Sequence, residues 1–194
     1  MKKTILAFTF FIFLFKANAQ TAILLEEHFD RTDNTYETAT GVKGNCLNIS
    51  SGAAIRKPIL GGIPNKSFSA SFTASVWIKA APFDDEDYAI LNCKTNMPDN
   101  IETVWQLGKQ ANGAWYWNAI KAKNKYEYKP TFQRQPINDG NWHQLVFSYN
   151  DLKREVRLYY DGKNVAIYAT PQLTGLLSNK SQLSIGGLIK GDLD

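Results

Sequence analysis

The chain has 194 residues, with 22 basic and 18 acidic side chains and a formal charge of +4. Three of its lysines fall in the first nineteen residues, so a chain cut there carries only +1, and the alkaline pI of about 8.9 belongs mostly to that leader. A nearly neutral product offers no electrostatic footprint for nucleic acid, and two cysteines with no CxxC, HExxH or Cys/His cluster exclude a structural zinc site.

The leader comes first. Lys2 and Lys3 precede an apolar run from Ile5 to Phe15, broken only by Thr9, which closes on Ala17-Asn18-Ala19. That is the layout of a secretory signal, with cleavage expected before Gln20, and the run is about half of what a bilayer crossing requires. Residues 1–19 therefore read as a signal peptide and residues 20–194 as one exported domain, destined for the periplasm, the cell surface or the medium, with no membrane span after cleavage. A chain of this size buries enough surface for one core without metal or disulfide staples.

Beyond the leader, helical periodicity is almost absent. Short apolar or alternating runs recur between Gly, Asn, Asp and Pro clusters, the pattern of a sandwich or barrel. Strands are expected near 22–30, 45–50, 53–58, 70–80, 87–94, 103–110, 114–121, 125–129, 142–149, 155–160, 164–169 and 182–186. Cys46 and Cys93 sit in two of these runs. An oxidising compartment permits one disulfide between them, and the same apolar settings suit two buried thiols. The acidic stretch Asp84-Asp85-Glu86-Asp87 lies between Pro82 and the strand at Tyr88 and reads as a solvated loop.

Two hairpins carry enough turn chemistry to assign a register. A two-residue turn at Asp161-Gly162 sets Leu158 opposite Val165 and Val156 opposite Ile167 on a core face, with Arg157, Tyr159, Asn164 and Ala166 on the wetter one. A two-residue turn at Asn112-Gly113 pairs Trp115 with Gln110 and Trp117 with Gly108, beside Gln106. The other face carries Trp105, Leu107, Tyr116, Asn118 and Ile120 and is the one expected to pack inward, leaving Trp115 and Trp117 exposed. A three-residue turn would shift the register by one and exchange the two faces.

From Asn138 to Phe147 the chain reads NDGNWHQLVF, and from Glu155 to Lys163 EVRLYYDGK. Gly44-Asn45-Cys46-Leu47-Asn48-Ile49 and the run Ser71 to Lys79 precede them, and Leu183-Ser184-Ile185-Gly186-Gly187 follows. In this order the motifs resemble the laminin-G-like jelly roll of the concanavalin A-like lectin/glucanase superfamily, over about residues 22 to 190. The resemblance implies an all-β fold, an antiparallel β-sandwich of two stacked sheets, with a surface often used for glycans and a rim that often holds calcium. The family ends on a further strand that is missing before Asp194, so the domain is expected to lack its final strand and to be the front of a longer protein.

Fold does not fix function, so the residues must. The enzymes of this superfamily carry two carboxylates on one strand as E-x-D-x-x-E, because glycosidic cleavage needs an acid and a nucleophile at fixed separation. No such pattern occurs, and Glu26, Glu27 and Asp30 have no evident partner acid. Of the two histidines, His143 belongs to the Trp-His strand motif and is expected to pack and hydrogen-bond, while His28 supports no reading alone. Calcium is the one ion with a candidate set: by likeness to similar jelly rolls, Asp30, Asn45 and Asp192 would hold it. For a ligand, sugar C–H patches stack on flat rings while amides take the hydroxyls. Trp115, Trp117, Gln106 and Gln110 supply that combination, with Tyr126 and Tyr128 extending it and Arg134 and Lys123 beside it. Trp77 and Trp142 are expected in the core.

The expected function is a non-catalytic, lectin-like glycan-binding module, the N-terminal accessory domain of a larger hydrolase. The alternative is a protein-interaction or structural domain that positions a partner, and a glycoside hydrolase fits least.

Overall fold

The computed structural model describes residues 38–48, 55–58, 71–82, 86–97, 100–121, 124–170 and 181–186. The expected signal peptide, the strand near 22–30 and the chain's last residues lie outside these. Twelve strands follow in chain order: β1 (Thr38–Thr40), β2 (Asn45–Leu47), β3 (Ile55–Pro58), β4 (Phe72–Ile78), β5 (Tyr88–Met97), β6 (Asn100–Lys109), β7 (Trp115–Lys121), β8 (Asn124–Tyr128), β9 (His143–Asn150), β10 (Glu155–Tyr160), β11 (Lys163–Ala169) and β12 (Ser181–Ile185). They form a four-stranded sheet β11-β10-β9-β4, a six-stranded sheet β3-β12-β5-β6-β7-β8 and a small β1-β2 pair. All pairings are antiparallel.

Period-two burial shows which face of each strand is inside. In β9, His143, Leu145, Phe147 and Tyr149 are buried and alternate with more exposed neighbours. In β4, Phe72, Ala74, Val76 and Ile78 pack on the core while Thr73, Ser75 and Trp77 face out. Phe147 joins the two sheets: its ring centroid lies 5.3 Å from those of Trp105 on β6, Trp117 on β7 and Phe72 on β4. An antiparallel sandwich sealed by aromatic rings is the architecture that the strand spacing and the resemblance both anticipate.

The two hairpins depart from their expected registers in instructive ways. Between β10 and β11 the turn has two residues, Asp161 (φ 49°) and Gly162 (φ 75°), closed by the pair Tyr160 and Lys163. This is the mirror-image turn that matches strand twist. A bulge after Leu158 then shifts the ladder, so that Leu158 faces Ala166 and Val156 faces Tyr168. Ala166 and Tyr168 consequently pack on the core, and Ile167 turns out to solvent.

Between β6 and β7 the loop has three residues, Ala111-Asn112-Gly113: Gln110 N donates to Ala114 O at 2.7 Å and Gly113 N to Gln110 O at 2.9 Å, with Gly113 at φ 85°. Leu107 therefore pairs with Trp117 and Lys109 with Trp115. One residue of slip reverses every side chain on the strand. Trp115 and Trp117 are both 0% exposed in the core, together with Trp105 and Leu107. The hairpin tip is held from outside by the chain beyond β8, since Ile137 N donates to Gly113 O at 2.9 Å and Ala114 bridges Pro136.

Candidate functional site

The expected sugar platform does not exist as drawn. Burial removes Trp115 and Trp117 from any ligand. Trp115 Nε1 donates to Gln135 Oε1 at 2.8 Å, and its ring lies 5.3 Å from that of Tyr128, whose hydroxyl donates to the same Gln135 oxygen. Tyr126 and Tyr128 share that inner face and pack against the core. Gln106 lies on the outward face but is buried, accepting from Asn118 Nδ2 at 3.5 Å. Gln110 is spent in part on the loop, donating to Trp115 O and Pro130 O. Arg134 is exposed on the 131–135 turn, and Lys123 lies outside the described residues.

Cys46 and Cys93 are not bridged; both are thiols. Cys46 is in the small β1-β2 pair and Cys93 lines the main core from β5. Burial pushes the Cys93 thiol up to about 12, against the opposing effect of its hydrogen bond with Ser181, so it behaves as a small hydrophobe. Of the calcium candidates, Asn45 stands at the exposed start of β2 opposite Thr40, and Asp30 and Asp192 lie outside the described residues, as does His28. Among the described residues no group of three or more His, Cys, Asp or Glu side chains is arranged to hold a metal ion.

His143 has a structural setting. Its Nδ1 is 2.9 Å from Asp161 Oδ2 and its Nε2 is 3.0 Å from Asp139 Oδ1. Carboxylates only accept, so the two of them favour the form in which both ring nitrogens donate and raise the pKa of the ring, against the opposing effect of burial. Tyr160 stacks on it at 5.1 Å, with its hydroxyl 2.7 Å from Nδ1 while donating to Pro136 O. Both nitrogens are occupied, leaving none to act as a general base. The arrangement ties the 139–141 turn to the β10–β11 turn.

The exposed indole is Trp77, 47% exposed on the outward face of β4. Strand pairing surrounds it with a mixed surface. Gln144 is its direct cross-strand partner, and Gln144 Nε2 donates to Ser75 Oγ at 3.2 Å. The next row runs Ser75, Val146, Tyr159, Asn164, and the one after it Thr73, Ser148, Arg157, Ile167. Arg157 is held by Glu155 and Tyr159, which keep its guanidinium oriented along the face. Strands about 4.8 Å apart and residues about 3.4 Å apart put Trp77 and Tyr159 about 12 Å from each other. The face thus offers two rings with the Gln144 amide and the Ser75 hydroxyl between them, and the Arg157 guanidinium one row beyond Tyr159. The sequence signal for it was present: Thr73, Ser75 and Trp77 alternate with Phe72, Ala74, Val76 and Ile78, and only the apolar set can face inward.

The profile of a laminin-G-type family within the concanavalin A-like lectin/glucanases superfamily matches residues 61–193. The chain belongs to that family. Among the curated proteins, none matches. Among solved structures, a receptor binding domain superposes with a TM-score of 0.53 at 17% identity, covering 73% of this chain and 34% of that one. Domains LG4-5 of the mouse laminin alpha1 chain give 0.49 at 17% identity over 73% and 34%. The CBM40 of the Ruminococcus gnavus IT-sialidase gives 0.47 at 10% identity over 60% and 64%. The chain spans about a third of the first two, and the first of them shares its jelly-roll fold.

Proposed function

We propose that this member of the lectin/glucanase superfamily is an exported, non-catalytic carbohydrate-binding module, the accessory front end of a larger hydrolase. The observation that carries the reading is Trp77, a half-exposed indole on a flat sheet face, paired directly with an amide. An indole flanked by amide and hydroxyl groups on an exposed face presents the apolar and polar contacts that a sugar ring takes. A sugar ring stacks on the indole while Gln144 and Ser75 meet its hydroxyls. The separation from Tyr159 favours an oligosaccharide that lies along the face over a single ring. Export is supported by the leader sequence, and the lack of catalysis by the absence of an acid pair of the E-x-D-x-x-E kind.

Affinity electrophoresis in gels containing soluble polysaccharides tests this. Stacking is worth about 1 kcal/mol, so Trp77→Ala should weaken retention by about fivefold on the ligand that retards the wild type, with an unchanged melting temperature. Equal retardation of the variant would defeat the proposal. A protein-docking reading is favoured by Ile167, 53% exposed at the edge of the same face, because an aliphatic side chain offers a sugar little. Ile167→Ser separates the two: it leaves polysaccharide retention intact if the face binds glycan, and weakens capture of a partner domain if the face docks protein.

A further inference from the structure

The β10–β11 turn reaches back to the start of β9, and one carboxylate joins the two. Asp161 N donates to Gln144 O at 2.9 Å, and Gln144 N donates to Asp161 Oδ1 at 2.8 Å. A side-chain oxygen thus takes the place of a ladder carbonyl at the first outward residue of β9. The second oxygen, Oδ2, lies 2.9 Å from His143 Nδ1. Gln144 is in turn the cross-strand partner of Trp77. Imidazole, carboxylate, backbone amide and indole therefore form one connected series, running from the buried side of β9 to its exposed face.

The inner end of that series titrates. Asp139 Oδ1 faces His143 Nε2 at 3.0 Å from the loop before β9, Asp161 faces Nδ1 from the β10–β11 turn, and the Tyr160 ring stacks on the imidazole from β10. From β4 the residue opposite is the apolar Ile78, and Lys163, which closes the turn opposite Tyr160, is exposed. With a proton on each nitrogen the ring serves both carboxylates. Once a proton leaves, a bare ring nitrogen faces an oxygen that also only accepts. Nδ1 is the nitrogen with a substitute: the Tyr160 hydroxyl lies 2.7 Å from it while donating to Pro136 O, and by turning it donates to Nδ1 instead. Asp161 Oδ2 then loses its donor, and with its side chain 38% exposed it turns to water. The hold on the start of β9, beside Gln144, slackens.

We propose that His143 is a positioning residue for the Trp77 face: its protonated ring fixes Asp161, Asp161 fixes the start of β9, and glycan binds that face more tightly while the ring carries its proton. This rests on the carbohydrate reading above and adds its regulation by pH. Burial opposes the charged ring, but Asp161 and Asp139 outweigh it and leave its pKa above the ordinary value. The tie is accordingly complete below about pH 6.5 and fades as pH climbs through the raised value. Linkage makes the effect reciprocal: the factor by which the proton raises glycan affinity is the factor by which bound glycan raises proton affinity.

Dissociation constants at about pH 6 and about pH 9 test it, with soluble arabinoxylan, mixed-linkage β-glucan and galactomannan as probes, since these polymers have no titrating group of their own. The polymer that the wild type binds should be held about fivefold more weakly at the higher pH. His143→Gln should bind with no such step. Asp139→Asn removes one carboxylate from the ring and leaves Asp161 and Gln144 in place, so it should keep the step and move it to lower pH. In the wild type, followed by NMR, a saturating oligosaccharide of that polymer should raise the His143 titration midpoint by the same factor, roughly 0.7 on the pH scale; its signal is told from that of His28, the other histidine, by its loss in His143→Gln. Affinity that does not fall with pH while Trp77→Ala weakens it, or a His143 midpoint that the oligosaccharide leaves in place, overturns the proton link and leaves the carbohydrate reading standing. Binding of none of the polymers at either pH overturns both.

Discussion

At the residue scale, His143 shows what one side chain does when two carboxylates enclose it. Burial pulls its pKa down, but the hydrogen bonds and charges of Asp161 and Asp139 prevail, and it ends above its ordinary value. Asp139 is held down to about 2, chiefly by the His143 hydrogen bond. A raised folded-state pKa means that the histidine's contribution is complete below about pH 6.5 and is lost as pH climbs through the folded value; the lowered Asp139 contributes fully above about pH 4 and fades as pH falls toward 2. Melting curves should therefore plateau between those limits and decline on the alkaline side, and His143→Gln should remove that alkaline decline. A wild-type melting temperature that holds steady from about pH 6.5 to about pH 9 would contradict the ion-pair reading. The cysteines give a second residue-scale expectation. A thiol reagent should label Cys46 in the folded protein and reach Cys93 only after denaturation, because Cys93 is buried with its thiol pushed up to about 12. His143 was legible in sequence because it follows Trp142 in a recognisable strand motif. The tryptophans were not. Trp77, expected inside, is half exposed, while Trp115 and Trp117, expected outside, are sealed.

That inversion originates at the element scale. Asn112-Gly113 fits a two-residue turn and also the end of a three-residue one, and the dipeptide alone does not choose between them. The choice comes from contacts far along the chain. Gly113 O accepts from Ile137 N, and a Cβ on Gly113 would lie 2.3 Å from Asn138 Oδ1. Gly113→Ala meets both that clash and a φ of 85°, so it should destabilise the domain by about 1–3 kcal/mol in urea unfolding. A cost near zero would mean that the tip is not docked as described. The β10–β11 hairpin teaches the complementary lesson. Its Asp-Gly turn was read correctly, yet a bulge two residues from the turn exchanged Ile167 for Tyr168 in the core, and bulges leave little trace in a single sequence.

For the whole molecule, stability concentrates where the sheets meet. Phe147 touches Phe72, Trp105 and Trp117 at once, so Phe147→Ala should cost about 3–5 kcal/mol by chemical denaturation, against little for Trp77→Ala on the outside. Sequence alone determined the class of this protein. Alternation at period two and turn residues between short runs are local, and locality is enough to specify an antiparallel sandwich, while the ordered motifs carry the resemblance to its superfamily. Tertiary structure decided which face of each strand is the surface. Register depends on whether a loop has two residues or three and on where a ladder bulges, and contacts between distant segments settle both. Since a one-residue slip carries every side chain through the sheet, the exposed ring at Trp77 became visible only once the sheets were stacked.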